Sequence, residues 1–422
     1  MSLDLNQSAQ KIIHKQILAN QDKVCAWFSQ KAKGVPHPIY SSYDIRDAGY
    51  KVSNVDANIF PAGFNNICPT DKETSIDLMT RYFEMHYGSA ARKVLLVTEE
   101  HTNNPYYWEN VATLKWLMES SGREVLLGIP KRLETPLRVT SSTGKELTVV
   151  SAFADSTAYK EFSPDIVISN NDFSDSNVEW AEQNFLPMNP PRELGWYQRK
   201  KSRYFKLYND LVNELADVAQ FDPWLLKVET EIFEHFEITD DASRELLAKK
   251  VDEFLENLKN EYEKRGITRT PFAFVKNNSG TYGLAVIRVA SGDEVRSWNY
   301  KSRKKMKAAK GGKDVEEVII QEGIPTIVQA EGVSAEPVIY MLGCELAGGF
   351  LRTHGEKDAT ESLNSPGAVY KRLCVSDLAV DLAGCPHENV YGWSAKLGLL
   401  AIALEGQEMG VTYKAYQNPV CG

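Results

Sequence analysis

The sequence predicts a mixed α/β protein, with a parallel α/β layer in its first part and an α+β arrangement in its second. Three observations carry this. Short apolar runs alternate with a helical pattern from about Arg92 to Asp172. The stretch "EQNFLPMNPPRELGWYQRK", with Pro187, Pro190 and Pro191, then interrupts that pattern near residue 190. Beyond it the apolar runs are strand-like and grouped, and the helical patterns stand apart from them. A chain of 422 residues is too long for one ordinary core. Two units are therefore expected, residues 1–190 as an α/β domain and residues 191–422 as a second domain of two α+β parts.

In chain order, "KVLLVTEE" reads as a short buried strand, and "NPYYWENVATLKWLMESSG" has helical spacing and ends on Gly122. "REVLLGIP", "LTVVSAF" and "DIVISNND" are further strands of the first layer. After the break, "DASRELLAKKVDEFLENLKNEYEKRGI" carries an apolar stripe of Leu246, Leu247, Val251, Phe254, Leu255 and Leu258, with Gly266 as its stop. This is the pattern of a helix packed on a surface. "PFAFVKN" and "LAVIRV" read as two strands around a small-residue loop. "EEVIIQEGI", "EPVIYMLGCELAGGFLRT" and "GAVYKRL" follow as strands, and "GWSAKLGLLAIALEGQEMG" is the final helix.

Composition narrows the class of function. Apolar residues make up 43% and charged residues 25%, as in a globular protein. No apolar run approaches the roughly 18 residues that span a bilayer, and the first residues lack the apolar centre of a signal peptide. A cytoplasmic protein is expected. The net charge of −9 argues against a nucleic-acid binder, since phosphate contacts need a basic face. The locally basic "KSRKKMKAAKGGK", residues 301 to 313, has no aromatic for base stacking and reads as a solvated surface or a flap. Six cysteines without CxxC spacing read as free thiols, and seven histidines show no zinc pairing. Nothing orients Cys385 and His387 as a catalytic pair, so both read as structural.

Lys276 ends a strand just before "NNSGTYG". Its ammonium suits a nucleotide phosphate, and Gly280 and Gly283 let backbone N–H groups approach one. The order of lysine and glycines is not that of a Walker loop, and a plain glycine hairpin explains the loop equally well by itself. Its neighbours add weight. The strand "VIIQEGIP" ends in Gln321 and Glu322, which suit an adenine and a ribose. Glu336 and Arg352 lie at strand ends, and Glu361 and Asn364 lie in a turn. A lysine, an arginine, carboxylates and an asparagine together suit a Mg-nucleotide, because Mg²⁺ takes oxygen ligands alongside substrate phosphates.

This ordered set resembles the ATP-grasp fold, and within it glutathione synthetase and the ATP-grasp-type glutamate–cysteine ligases of proteobacteria. The segments "YDIRDAGYKVSNVDANIFPAGFNNI", "TEEHTNNPYYWEN", "LGWYQRKKSRYF", "VKNNSGTYGLAVIRV" and "EPVIYMLGCELAGGFLRTH" carry the resemblance over most of the chain. It implies an ATP-grasp fold behind a Rossmann-like N-terminal domain. It also implies ATP-dependent joining of the L-glutamate γ-carboxylate to L-cysteine through an acyl phosphate, the first step of glutathione biosynthesis. Lys201 and Lys276 would be the ATP lysines, with Lys200 and Lys206 close enough to compete with Lys201. Ser279, Gly280, Thr281 and Gly283 would cover the phosphates, and Gln321 and Glu322 would form the adenine–ribose hinge. Arg352 would stabilise the transferring phosphoryl group.

Asn364 would help hold Mg²⁺. The metal-binding Glu-x-Asn that follows the last helix in glutathione synthetase has no counterpart in "VTYKAYQNPVCG". Glu336 and Glu361 stand in as the metal acids, with Asp377, Asp381 and Glu388 as alternatives. The dense polar set Asp44, Arg46, Asn54, Asp56, Asn58 and Asn65 would hold the amino acids by their charged ends, or cap a loop system. "EEHTNN", directly after a strand, sits where ligand crevices form in a parallel layer, and reads equally as a helix N-cap. Two alternatives stay open. One is another ligase of the same fold, such as a glutathione synthetase, and the other is a non-catalytic protein binding nucleotide or amino acid. A homo-oligomer is the general expectation for a chain of this kind.

Overall fold

The computed structural model describes residues 8–99, 103–280, 285–299, 315–382 and 385–420, with Ser302, Lys304 and Met306. The basic stretch from residue 301 to 313 therefore lies largely outside the described residues.

Two helices, α1 (Ala9–Ala19) and α2 (Gln21–Ala32), open the chain and are followed by the strands β1 (Tyr40–Asp47) and β2 (Val52–Asn58). Helix α3 (Pro69–Tyr87) leads into β3 (Lys93–Val97), α4 (Pro105–Ser120) and β4 (Glu124–Ile129). Then come β5 (Leu137–Thr140), β6 (Glu146–Ser151), α5 (Thr157–Phe162), β7 (Ile166–Ser169), α6 (Val178–Gln183) and β8 (Met188–Asn189). These strands form a six-stranded sheet in the order β5-β6-β4-β3-β7-β8, parallel apart from the β5–β6 pair. Strand β3 is buried on both faces, as a near-continuous apolar run in a parallel sheet should be. Helix α4 starts where predicted, with Asn104 accepting from the Tyr106 N–H and Pro105 in the first turn.

The second half begins with α7 (Lys201–Ala219), β9 (Thr230–Phe233) and α8 (Asp241–Lys264). Strands β10 (Ala273–Asn277) and β11 (Val286–Val289) flank the small-residue loop, and α9 (Gly292–Arg296) and β12 (Val318–Glu322) complete this part. They make an antiparallel sheet in the order β11-β10-β12-β9. Helix α8 is capped by Asp240, which accepts from the Ala242 and Ser243 N–H groups. It packs on this sheet through Leu247, Val251, Phe254, Leu255 and Leu258. Leu246, expected in the stripe, is 59% exposed. One residue from Leu247 is a turn of about 100° around a helix of 3.6 residues per turn, enough to leave the buried stripe.

The remaining strands are β13 (Gln329–Ala330), β14 (Val333–Leu342), β15 (Glu345–Thr353) and β16 (Val369–Leu373), then the short pair β17 (Ala379–Leu382) and β18 (Cys385–Glu388). The main sheet here runs β16-β15-β14-β1-β2, so the N-terminal hairpin pairs antiparallel with β14. Residues from before the Pro-rich break thus complete a sheet built mostly from residues after it.

The C-terminal helix, Val390–Glu408, is apolar on nearly every side and is buried on nearly every side. Its Leu397, Leu399 and Leu400 share one core with Tyr43, Ile45, Ile339 and Met341 from the back of the β14-β1-β2 sheet. Among the described residues, no helix is long and apolar enough to cross a membrane.

The expectation of free thiols is corrected. Cys68 and Cys374 form a disulfide across 306 residues of sequence, with Cα atoms 5.6 Å apart. Sequence spacing is silent on such a pair, because the fold alone brings the start of α3 to the end of β16. Cys25 is free and exposed.

Candidate functional site

The site follows from the pleat of one sheet. Alternate residues of a strand share a face, so Ser42, Asp44 and Arg46 of β1 look the same way. Asp44 lies opposite Asp56 of β2 and opposite Val338 of β14. Glu336 lies opposite Arg352 of β15. Directly opposed residues of antiparallel strands are near neighbours on one face, so two basic and three acidic side chains converge.

Arg352 Nη1 lies 2.7 Å from both Asp44 Oδ2 and Glu336 Oε1. Arg46 Nε lies 2.6 Å from Glu336 Oε2. The Arg46 fork also donates to the carbonyl oxygens of Ala359 and Glu361, at 3.2 and 2.8 Å. It thereby ties the following loop, with Ser362 and Asn364, to β1.

A second sheet faces this one. Phe274, Lys276 and Gln321 lie on one face of β10 and β12, since Phe274 opposes Gln321 and Lys276 is two residues on. Lys276 Nζ donates to the Val55 carbonyl at 3.1 Å and to Gln321 Oε1. Lys201, the first residue of α7, pairs with Asp56. Asn278, just past β10, holds that helix start in place, accepting from Lys201 N through its carbonyl and from Ser202 N through Oδ1.

The electrostatics agree with this convergence. Burial pushes the Lys276 ammonium down to about 8, although Asp56 works against the shift. For Asp56, burial opposes the charge, but Lys201 and Lys276 outweigh it and hold the carboxyl below its ordinary range. Glu336 behaves alike, with Arg46 and Arg352 outweighing burial. Asp44 is pushed up, by burial first; Arg352 offsets part of this, while the charges of Glu336 and Asp56 add to it.

Two connected cavities result. The narrower one is lined by Asp44, Arg46, Asp56, Lys201, Lys276, Gly280, Gln321, Glu322, Glu336 and Asn364. The wider one, of about 860 Å³, shares Asp44, Asp56 and Asn364 with it. It continues past Asn58, Asn65 and Arg352 to Glu99 and the start of α4.

Most of the residues singled out in the sequence therefore meet here, and a few do not. Asn54 is fully buried, lines neither cavity, and its side-chain amide has no hydrogen-bond partner among the described residues. The Glu361 carboxylate is turned to Lys357, 2.9 Å away, and to the Asp358 N–H. Ser279 donates to the Arg199 carbonyl beside the narrow cavity. Thr281 and Gly283 lie outside the described residues. Glu322 reaches the narrow cavity, but its carboxylate is paired with buried Lys51 at 2.6 Å and accepts from Tyr262. Lys51 was not singled out in the sequence. A lysine in a Gly-containing turn gives no sign of a partner 271 residues away.

Asp44 and Asp56 face a cavity that also holds two lysines, and Asn364 lines it beside them. Hard oxygen donors of this kind fit a divalent cation of the Mg²⁺ type.

A family model described as glutamate-cysteine ligase matches residues 14–406. A solved structure described as a candidate gamma-glutamylcysteine synthetase of Methylobacillus flagellatus KT is 32% identical, with a TM-score of 0.85. The alignment covers 97% of this chain and 98% of that one. D-alanyl-alanine synthetase A of Vibrio cholerae is 12% identical at a TM-score of 0.30, over 63% and 68% of the two chains. A glutathione synthetase-like effector of Globodera pallida is 13% identical at a TM-score of 0.35, over 88% and 87%. No curated protein matches the chain significantly.

Proposed function

Because the chain belongs to the glutamate–cysteine ligase family, we propose that it joins the γ-carboxylate of L-glutamate to L-cysteine through an acyl phosphate. ATP would be consumed, giving γ-glutamylcysteine, ADP and phosphate. The observation that carries this is the facing of Lys201 and Lys276 against Asp44, Asp56 and Arg352 around two connected cavities. The lysines and Gln321 that line the narrower cavity suit the groups of a nucleotide, and the wider one suits two amino acids.

A carboxylate is a poor acyl donor, and phosphorylation converts its oxygen into a leaving group. The γ-carboxylate oxygen attacks the γ-phosphorus of ATP, ADP leaves, and the cysteine amine then displaces phosphate from the carbonyl carbon. The chain's task is positioning and charge neutralisation. Lys201 and Lys276 exchange Asp56 and Gln321 for phosphate oxygens. Arg352 lines the wider cavity and is paired with Asp44, which lines both, and from there it would neutralise charge on the phosphoryl group in transfer. Gln321 and the end of β12 face the adenine side.

Asp44 and Asp56, with Asn58 and Asn364 nearby, would hold Mg²⁺, in place of the late Glu-x-Asn and in preference to Glu361. Bound there, Mg²⁺ would neutralise phosphate charge during transfer. Gly280, with the loop it opens, would keep water from the acyl phosphate.

The test is isotopic. Glutamate carrying ¹⁸O in its γ-carboxylate should pass one ¹⁸O into the released phosphate. Phosphate without label, from turnover that still forms the dipeptide, would overturn the acyl-phosphate route.

A further inference from the structure

We propose that Glu99 binds the α-ammonium of the acyl-donating amino acid and so selects glutamate and sets which of its carboxylates is activated. The proposal rests on the ligase reading above and names the part of the wide cavity that the reading leaves unassigned. Four charged residues line that cavity among the described residues: Asp44, Asp56, Glu99 and Arg352. The two aspartates also line the nucleotide cavity, and Arg352 is paired with Asp44. Among the described residues, Glu99 is the acid that lines the wide cavity alone and that the ligase reading leaves without a role.

Its position is built. Glu99 comes two residues after β3, whose neighbours β4 and β7 lie on opposite sides. Ligand crevices form at such a point, beyond the carboxyl ends of the strands. The side chain is 6% exposed. Glu99 Oε1 accepts from Asp172 N at 3.2 Å, and Glu99 N donates to the Tyr107 hydroxyl at 2.8 Å. That hydroxyl in turn donates to the Asn170 carbonyl at 3.1 Å. The segment after β7 thus holds the carboxylate and α4 holds the backbone, and a carboxylate placed so on a cavity wall suits an ammonium ion.

The choice between the two amino acids follows from their chemistry. The cysteine amine must give up its proton to attack, and a permanent carboxylate partner favours the protonated form. The glutamate amine takes no part in the reaction and gains only by staying charged. Held at Glu99, glutamate directs its γ-carboxylate toward Arg352 and the nucleotide, and a donor lacking the amine loses this anchor.

The experiment compares the wild-type chain with Glu99→Gln, which keeps the bond from Asp172 N, by ADP release with glutamate or glutarate as donor. Expected for Glu99→Gln is a rise of at least tenfold in KM for glutamate, with KM for cysteine and ATP within about twofold. The preference for glutamate over glutarate in kcat/KM should fall at least tenfold. Glu99→Asp, which keeps the charge, should retain most of that preference. An unchanged preference in Glu99→Gln, or a rise in KM for cysteine instead, would overturn the assignment. Wild-type protein that releases no ADP with glutamate and cysteine would count against the ligase reading itself, before any variant is compared.

Discussion

Lys276 stands under two opposing influences, and both can be measured. Burial draws its ammonium down to about 8, against roughly 10.4 for a free lysine. Between these values the unfolded chain holds a proton that the folded chain has released, so this group makes stability rise with pH across that window. Nucleotide affinity should run the other way, because in the proposed function the charged form would meet the phosphate. The KM for ATP is expected to rise above about pH 8, and Lys276→Ala to abolish turnover without unfolding the protein. Near-normal turnover in that variant would remove Lys276 from the nucleotide site. For Arg352, substitution by lysine keeps a charge between Asp44 and Glu336 and loses the planar fork. Turnover should fall about 10²-fold, with KM for ATP little changed. A main effect on amino-acid KM would move Arg352 to the substrate side.

At the scale of elements, the β1–β2 hairpin decides where the acids stand. Its polar residues were legible as an unusual cluster, and their period of two was present in "YDIRD" and "NVDAN". Their neighbours were not legible. The pairing of Asp44 with β14 crosses almost 300 residues of sequence and has no local signal. The same limit hid the Cys68–Cys374 bridge and the partner of Lys51.

Elements with a strong local pattern were readable. Strand β3, helices α4 and α8, and the β14–β15 hairpin all stand where propensity and spacing put them. Helices α1 and α2 bury only one face each, through residues such as Ile13, Ile17, Val24 and Phe28, and their mixed polar sequence gave little signal.

The hairpin is held from behind by the C-terminal helix, where a Cβ on Gly398 would come within 2.4 Å of the Tyr43 ring. Gly398→Ala should therefore destabilise the protein by about 1–3 kcal/mol, read as a lower denaturation midpoint. It should also reduce turnover, because β1 carries Asp44 and Arg46. A variant as stable as wild type would mean that β1 yields freely at this contact.

Over the whole molecule, two sheets face each other across the paired cavities, and a parallel layer closes the far wall. Buried ion pairs tie these parts together. Arg199 Nε meets Glu405 Oε2 at 2.8 Å, with both side chains essentially fully buried, and the Arg199 fork also donates to the Ala57 carbonyl. Burial pushes the Glu405 carboxyl up, and Arg199 offsets part of this. Glu405→Ala would leave a buried guanidinium without its partner and should cost about 3–5 kcal/mol, seen in denaturant unfolding. A loss below 1 kcal/mol would show that water or another group replaces the carboxylate.

The proposed function assigns the whole molecule to one reaction class. It is tested by ADP release from the purified protein with ATP, Mg²⁺ and L-glutamate, in the presence and absence of L-cysteine. The expected result is ADP formation that requires both amino acids, with a product of the mass of γ-glutamylcysteine. Tight ATP binding with no ADP released from that pair would contradict the proposed reaction.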